Sequence, residues 1–202
     1  MIGIINYGMG NIRSVQNALT YLGYSVRIIS APVELDQVER IILPGVGAFG
    51  RAMDNLHSLG FVDALNEHVI ERQKLFLGIC LGMQLICRES DEFGRHQGLG
   101  WIDGRIERIP GDMNLRVPHV GWNSLSIRKS GGLMNGVAEQ SDVYFVHGFY
   151  LPAHDQSFVS ADCEYGQPVT AVIEQENIFA TQFHPEKSQR VGLTILENFS
   201  RI

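Results

Sequence analysis

The segment Gly78-Ile79-Cys80-Leu81-Gly82 carries a cysteine between two glycines, where an apolar run typical of a strand meets an apolar run typical of a helix. Such a sharp strand-to-helix turn needs glycines because neighbouring backbone comes too close for a side chain. The turn holds its central residue in strained geometry with the side chain presented, and the helix N-terminus favours a thiolate there. The segment therefore predicts a nucleophilic Cys80 at the edge of a sheet.

Strand-like and helix-like segments alternate through the first half of the chain, which predicts a parallel sheet with helices on both faces. The strands are predicted at Ile2–Tyr7, Ser25–Ser30, Arg40–Leu43 and Leu75–Ile79, and the helices after Asn11 as N-cap, at Phe61–Arg72 and at Leu81–Cys87. The second half is β-rich and ends in a helix at Arg190–Phe199. Its short segments are Trp101–Ile109, Asn123–Ile127, Val143–His147, Phe158–Asp162, Val169–Ile173 and Ile178–Gln182. We therefore expect one α/β domain over residues 1–202, with an open, mostly parallel, twisted mixed sheet.

A thiol nucleophile needs a base, and the base needs a group that orients it. His184 and Glu186 are the best candidates, because they follow a strand-like run and stand two residues apart. If the extended conformation continues past Gln182, their side chains point the same way. We therefore predict that His184 pairs with Cys80 and that Glu186 pairs with the imidazole.

The segment Pro44-Gly45-Val46-Gly47 follows the third predicted strand, at the carboxyl edge where sites form in parallel sheets. Its glycines allow backbone amides to turn toward a site. Because no Gly-Lys-Ser/Thr follows, it is a poor phosphate loop. We interpret it as a source of donors for the oxyanion of a tetrahedral intermediate.

Composition excludes several classes of function. The net charge is −6 and the chain has no basic runs, which argues against a nucleic-acid binder. No run approaches the roughly 20 apolar residues that a membrane span needs, and the apolar start is too short for a signal peptide, so we expect a cytoplasmic protein. Cys87 and Cys163 lack the setting of Cys80 and are interpreted as bystanders. With no clustered ligands among cysteines and histidines, we predict neither a metal nor an organic cofactor.

The motifs Pro44–Gly47, Gly78–Gln84 and His184–Ser188, in this order, resemble those of class I glutamine amidotransferases that use a Cys-His-Glu triad. The resemblance covers essentially the whole chain and implies a flavodoxin-like domain. Further matching segments are Asn6–Asn11, Pro118–Asn123, Tyr144–His147 and Gln182–Ser188. They are similar to the family's glutaminase subunits that supply ammonia for histidine biosynthesis.

The resemblance implies a role for each matching residue. Cys80 would attack the side-chain amide of glutamine, His184 would serve as base and then as acid, and Glu186 would orient His184. The glutamine site, including the oxyanion donors, would be formed by Gly45, Val46, Gly47, Leu81, Gln84, Glu92, His147, Gly148 and Phe149.

The resemblance also implies a partner. A (β/α)8-barrel synthase subunit, the cyclase, would form an obligate heterodimer with this chain and receive its ammonia. A chain of 202 residues has no room for that barrel as well. The residues at the matching interface positions are Met9, Asn11, Arg13, Trp122 and Lys187.

Three alternatives stay open on the sequence. Gly148 stands where the family usually has Ser or Thr, so a hydroxyl that could contact glutamine is missing. This departure keeps open a paralogous subunit that supplies ammonia for amidino-sugar formation in surface polysaccharides. A stand-alone γ-glutamyl hydrolase or peptidase would use the same cysteine and histidine without a partner. A regulatory subunit with a decayed site is the third, although all three triad positions are filled.

Overall fold

Strands and helices alternate in the computed structural model, which describes residues 1–111, 115–154 and 156–202. The strands are β1 (Ile2–Ile5), β2 (Val26–Ile29), β3 (Arg40–Gly45), β4 (Leu75–Cys80), β5 (Cys87–Ser90), β6 (His96–Gln97), β7 (Ile102–Arg108), β8 (His119–Ser124), β9 (Ser126–Ile127), β10 (Asp142–His147), β11 (Phe149–Tyr150), β12 (Val159–Glu164), β13 (Pro168–Gln175) and β14 (Ile178–Thr181). The helices are α1 (Ile12–Tyr21), α2 (Phe49–Ser58), α3 (Phe61–Leu65), α4 (Leu81–Leu85) and α5 (Gln189–Arg201).

The central sheet has the strand order β2-β1-β3-β4-β14-β13-β12-β9. The five strands from β2 to β14 are parallel, and β13, β12 and β9 continue the sheet antiparallel. This confirms the predicted mixed, mostly parallel sheet. Because β3 and β14 flank β4, the segments that follow these three strands emerge side by side at one edge.

Helices cover both faces of this sheet. On one face α1 and α5 pack together, and the buried Val15, Leu19 and Phe199 join a core with β1. On the other face α2 and α3 bury Phe49, Leu56 and further apolar residues. Full burial of each such side chain contributes about 1.5–3 kcal/mol, so the two apolar faces of the sheet account for much of the stability.

Two smaller β-structures lie beside the main sheet. Strands β8 and β10 form an antiparallel ribbon, and β11, β7, β5 and β6 form a second sheet in that order. The chain passes from the ribbon into the second sheet at Gly148, between β10 and β11. Among the residues that the structure describes, no helix has the length and apolar character needed to cross a bilayer.

Several predicted boundaries were wrong. The helix predicted to reach Arg72 is regular only to Leu65 and continues as a wider π-type turn over Asn66–Glu71. The helix predicted to reach Cys87 ends at Leu85, because Cys87 starts a strand that pairs with β7. Helix α2 was not predicted, since its start follows the glycines of the β3 loop and masks the helical spacing of its apolar residues. The stretch Asn123–Ile127 contains the end of β8 and all of β9 rather than one strand.

Candidate active site

Cys80 stands at the predicted strand-to-helix turn, as the last residue of β4 and directly before α4. Its backbone has φ 54° and ψ −107°, a strained conformation for a residue with a side chain. The flanking glycines are required by close backbone: a Cβ on Gly82 would lie 1.8 Å from the carbonyl oxygen of Leu43, and a Cβ on Gly78 would lie 2.7 Å from that of Gly82. The turn therefore presents the Cys80 sulfur at the carboxyl edge of the sheet.

His184 reaches this edge because β14 runs parallel to β4, with Thr181 opposite Ile79. His184 Nδ1 lies 2.9 Å from Glu186 Oε1, and the Glu186 side chain is fully buried. The structure thus brings the two side chains together as predicted, but by a different geometry. The strand ends at Thr181, and Pro185–Lys187 form a 3-10 turn that folds Glu186 back onto the imidazole.

The charge state of His184 follows from its neighbours. Burial alone would lower the pKa of the imidazole, but hydrogen bonding to Cys80 and Glu186 outweighs it and raises the pKa from 6.5 to about 9. Because Nδ1 faces Glu186, Nε2 is left for the sulfur. At neutral pH the imidazole therefore carries a proton and can serve as a proton donor beside the Cys80 sulfur.

The protonated state of His184 predicts how the activity falls on the alkaline side of its pH profile, the alkaline limb. The glutamine hydrolysis that the resemblance implies should fall as pH rises through about 9, where His184 loses its proton. In Glu186→Gln the carboxylate no longer raises that pKa, so the limb should move to lower pH and kcat should fall about 100-fold or more. Steady-state kinetics over a pH series measures both effects. Glu71→Gln, on the exposed surface, is the control and should leave the limb in place; an unshifted limb in Glu186→Gln would contradict the assignment.

The predicted oxyanion segment lies beside the nucleophile. Gly45 ends β3 directly opposite Cys80, and the buried Tyr7 hydroxyl lies 2.6 Å from where a Gly45 Cβ would be. Only glycine fits at this position. Gly47 follows with φ 104° in the left-handed region, so the loop turns sharply over the cavity. Leu81 opens α4, and backbone N–H groups at a helix start have no partner within the helix.

A cavity of about 180 Å³ opens in front of the Cys80 sulfur. It is lined by Val46, Gly47, Cys80, Leu81, Gln84, Glu92, Val146, His147, Gly148, Phe149, His184 and Lys187. All the predicted substrate-site residues except Gly45 are among them, and Gly45 lies behind the wall.

Three cavity residues have hydrogen bonds that define what they can offer a ligand. Glu92 Oε2 accepts the backbone N–H of Phe49 at 2.6 Å, so one oxygen holds the start of α2 while the residue lines the cavity. Gln84 Nε2 donates to the Phe149 carbonyl at 3.0 Å. His147 lies with Nδ1 2.9 Å from that same carbonyl and Nε2 3.0 Å from His119, so both nitrogens are engaged within the protein.

Gln182 belongs to the site and was not predicted as a site residue. It is fully buried, its Oε1 accepts from Gln84 at 3.1 Å, and its Nε2 lies 3.9 Å from the Cys80 sulfur. In the sequence Gln182 is only the last residue of a strand-like run. Its one signal is a polar residue placed directly after four apolar or β-favouring residues, at the carboxyl end of a buried strand.

Asn11 connects the loop after β1 to the triad. It stands at the N-cap position of α1, but its side chain makes no bond to the helix backbone there, contrary to the usual N-cap role that we predicted. Instead its Nδ2 lies 3.3 Å from Glu186 Oε1, and its Oδ1 accepts from the Ser14 hydroxyl at 2.8 Å. The predicted interface residue therefore also contacts the carboxylate that orients His184.

The other predicted interface residues lie around the same edge. Trp122 is 48% exposed on β8 and packs edge-to-face on Tyr144, and Lys187 lies 5.9 Å from the centre of the same ring. Met9 is partly buried close to Gly47, and Arg13 is exposed on α1. Of these four residues, Lys187 is the one that lines the cavity in the described part of the chain.

The other two cysteines are buried in the core. Burial raises the pKa of the Cys87 thiol to about 12, and burial together with neighbouring carboxylates does the same for Cys163. Both are unreactive thiols at neutral pH.

Comparison with known proteins agrees with this geometry. Residues 3–201 match the family model described as glutamine amidotransferase class-I. The imidazole glycerol phosphate synthase subunit HisH of Syntrophotalea carbinolica is 50% identical over 204 residues, which cover 98% of each chain. The subunit HisH 1 of Campylobacter jejuni is 47% identical over the full length of both chains.

Solved structures share the fold at low sequence identity. The structure of PurLQS from Thermotoga maritima contains a chain that aligns with a TM-score of 0.77 at 19% identity, covering 99% of this chain and 97% of that one. A crystal structure described as glutamine amidotransferase aligns with a TM-score of 0.75 at 20% identity, covering 98% of both chains. These likenesses agree with the predicted fold class.

Proposed function

Because the chain belongs to the class I glutamine amidotransferase family, we propose that it is a glutaminase subunit of histidine biosynthesis. It hydrolyses glutamine to glutamate and delivers the ammonia to a (β/α)8 synthase subunit that forms imidazole glycerol phosphate and AICAR. The observation that carries the proposal is the buried Cys80–His184–Glu186 group, of which Cys80 and His184 line a cavity, in a chain about half identical to HisH subunits along its whole length.

The first half of the reaction forms a thioester. The Cys80 thiolate attacks the side-chain carbonyl carbon of glutamine, a C–S bond forms, and the oxygen becomes an oxyanion. Backbone N–H groups around Val46, Gly47 and Leu81, which line the cavity, are the donors placed to stabilise it. When the C–N bond breaks, the protonated His184 gives its proton to the leaving nitrogen, so neutral ammonia departs.

The second half restores the enzyme. His184, now neutral, takes a proton from water, and the resulting hydroxide attacks the thioester. The C–S bond breaks, glutamate leaves, and Cys80 returns to the thiolate while His184 keeps the proton. Glu186 remains hydrogen-bonded to Nδ1 throughout and so holds the imidazole in one orientation.

Ammonia that escapes into water becomes ammonium and is no longer a nucleophile. The proposal therefore includes a cytoplasmic heterodimer in which the synthase covers the cavity mouth and the ammonia passes directly to its lyase-type reaction. The exposed Trp122 is the proposed anchor, since tryptophan is favoured at interface hot spots. The exposed Lys187 and Arg13 are further proposed contacts of the synthase.

The test is to express the chain with the (β/α)8 subunit of its own source and to assay glutamate release. We expect co-purification, hydrolysis that rises with the partner, and growth without histidine in a strain that lacks its own glutaminase subunit. Failure of rescue by a soluble, active protein would favour the polysaccharide pathway instead. Fast partner-independent cleavage of a γ-glutamyl peptide would favour a stand-alone hydrolase.

Gly148 predicts weak glutamine binding that a hydroxyl can improve. Among the residues that the structure describes, a Cβ at this position would meet only Pro118, at 3.8 Å, and the backbone is outside the left-handed region, so a side chain fits. Gly148→Ser should lower the KM for glutamine about 3- to 10-fold, the value of one hydrogen bond. Gly148→Ala is the matched control and should leave KM unchanged. Equal KM values in the serine and alanine variants would show that the hydroxyl makes no contact.

A further inference from the structure

Two buried histidines lie against each other at the catalytic cavity, and one of them, His147, is part of the cavity wall. His119 on β8 and His147 on β10 are 3% and 6% exposed, and His119 Nδ1 lies 3.0 Å from His147 Nε2. His147 Nδ1 lies 2.9 Å from the carbonyl oxygen of Phe149, and His119 Nε2 lies 3.5 Å from Asn123 Nδ2. All four ring nitrogens thus face a polar atom of the protein.

The partners determine which nitrogen carries each proton. A carbonyl oxygen can only accept, so His147 Nδ1 must donate to Phe149. Burial lowers the pKa of His147 to about 3 and that of His119 to about 4, so both rings are neutral at neutral pH. Nε2 of His147 is then bare and accepts from His119 Nδ1, and the bare Nε2 of His119 faces the amide donor of Asn123. These hydrogen bonds form a relay whose donors all point one way, from the Asn123 amide through His119 and His147 to the Phe149 carbonyl.

The relay ends on the backbone that lines the glutamine cavity. The Phe149 carbonyl accepts from His147 and also from Gln84, which fills both of its lone pairs. Gln84 continues to Gln182, whose Nε2 lies 3.9 Å from the Cys80 sulfur. The orientation of the His147 ring therefore affects the position of the backbone between β10 and β11. It also affects the positions of the Gln84 and Gln182 side-chain amides next to Cys80.

Aromatic rings hold His119 in place. Its imidazole lies between Tyr165, with ring centres 3.8 Å apart, and Phe145, with ring centres 4.8 Å apart, both nearly parallel to it. Asn123 is tied in turn to the carbonyl oxygen of Glu164 at 2.9 Å. A histidine clamped in this way has few rotamers available, so its Nδ1–H is a fixed donor rather than an adaptable one.

We propose that His119 is a positioning residue for the glutaminase reaction. It donates its Nδ1–H to His147 and thereby fixes the carbonyl group of Phe149, a residue that lines the glutamine cavity. This proposal rests on the proposed function, which identifies glutamine as the substrate. His119 itself does not line the cavity; it acts through His147, which does.

The test compares His119→Leu with His119→Asn. The two replacements have nearly the same shape and both remove the ring stacking, but only asparagine keeps an N–H at the position of Nδ1. With the partner subunit present, His119→Leu should raise the KM for glutamine about tenfold and change kcat much less, because the triad is untouched. His119→Asn should restore most of the KM. Equal losses in both variants, or no change in either, would overturn the proposal.

Nitrogen-15 NMR of the histidine rings gives a readout that needs no activity. In the wild-type chain His147 and His119 should each carry the proton on Nδ1 and a bare Nε2, while the exposed His57 serves as the internal reference. His119→Leu should keep the His147 proton on Nδ1, which the Phe149 carbonyl requires, but should shift the Nε2 resonance because that nitrogen loses its hydrogen bond. His119→Asn should restore the Nε2 resonance toward its wild-type position. A wild-type His147 protonated on Nε2 would overturn the relay even if every variant failed to fold. Absent glutaminase activity with the predicted tautomers would instead locate the failure in the proposed function.

Discussion

Replacing Cys80 with alanine is expected to lower glutamine hydrolysis by about 10⁴-fold or more, because loss of a covalent nucleophile removes the whole reaction path rather than one contact. The substitution takes away only the sulfur of a residue that is 6% exposed and lines a cavity, so the fold should remain. Glutamate release in the presence of the partner subunit measures the loss, and circular dichroism checks the fold. Activity at the wild-type level in Cys80→Ala would defeat the catalytic assignment.

Thiol labelling provides the control for this prediction. Iodoacetamide at neutral pH should modify Cys80 and leave Cys87 and Cys163 untouched, because burial raises the pKa of both thiols to about 12. Mass spectrometry should find one label on the wild-type chain and none on Cys80→Ala. Cys163→Ala should keep both the label and the activity, which separates loss of the nucleophile from loss of a buried thiol.

The second large effect concerns the turn that presents the nucleophile. Gly82→Ala should destabilise the protein by more than about 3 kcal/mol, since the new Cβ in α4 would lie 1.8 Å from the Leu43 carbonyl oxygen, whose strand is held between two neighbours in the sheet. For a domain of this size that corresponds to a fall in Tm of roughly 6–12 °C. Calorimetry measures the shift, and glutaminase activity should be lost at temperatures where part of the fold survives.

Gly111→Ala is the matched control for Gly82→Ala. No atom of the described residues lies within 4 Å of a Cβ at Gly111, and its backbone is outside the left-handed region, so stability should stay within about 0.5 kcal/mol of the wild type. If both variants melted together near the wild-type temperature, the close packing of α4 against β3 would not be what requires glycine in the turn.

Local patterns were enough to predict the strand-to-helix turn and the alternation of elements. The glycines on both sides of Cys80 indicate a steric requirement that is recognisable without knowledge of the fold. The periodicity of apolar residues predicted β1, β3, β4 and α1. Helix α2 was missed because glycines interrupt the pattern at its start. The proximity of His184 and Glu186 was predicted from an extended chain, whereas the 3-10 turn after Pro185 produces it.

Local sequence patterns could not predict contacts between segments that are far apart in the chain. Gln84 and Gln182 are 98 residues apart, Asn11 and Glu186 are 175 apart, and His119 and His147 come from two strands of a ribbon. A polar residue at the end of a strand, or a histidine among aromatics, looks the same in sequence whether it is buried in a network or exposed. Strand order decides which it is, and strand order depends on packing across the whole chain.

Local sterics and the period of apolar residues were enough to predict the α/β class and to propose Cys80 as nucleophile with His184 and Glu186 as its partners. How these parts meet follows from the tertiary structure. Strand β4 lies between β3 and β14, and this order brings Gly45 and His184 to Cys80. The chain crosses from the ribbon to the second sheet at Gly148, and this crossing forms the cavity wall. Those arrangements depend on burying both faces of one sheet at once, a condition on the whole chain that no short segment expresses.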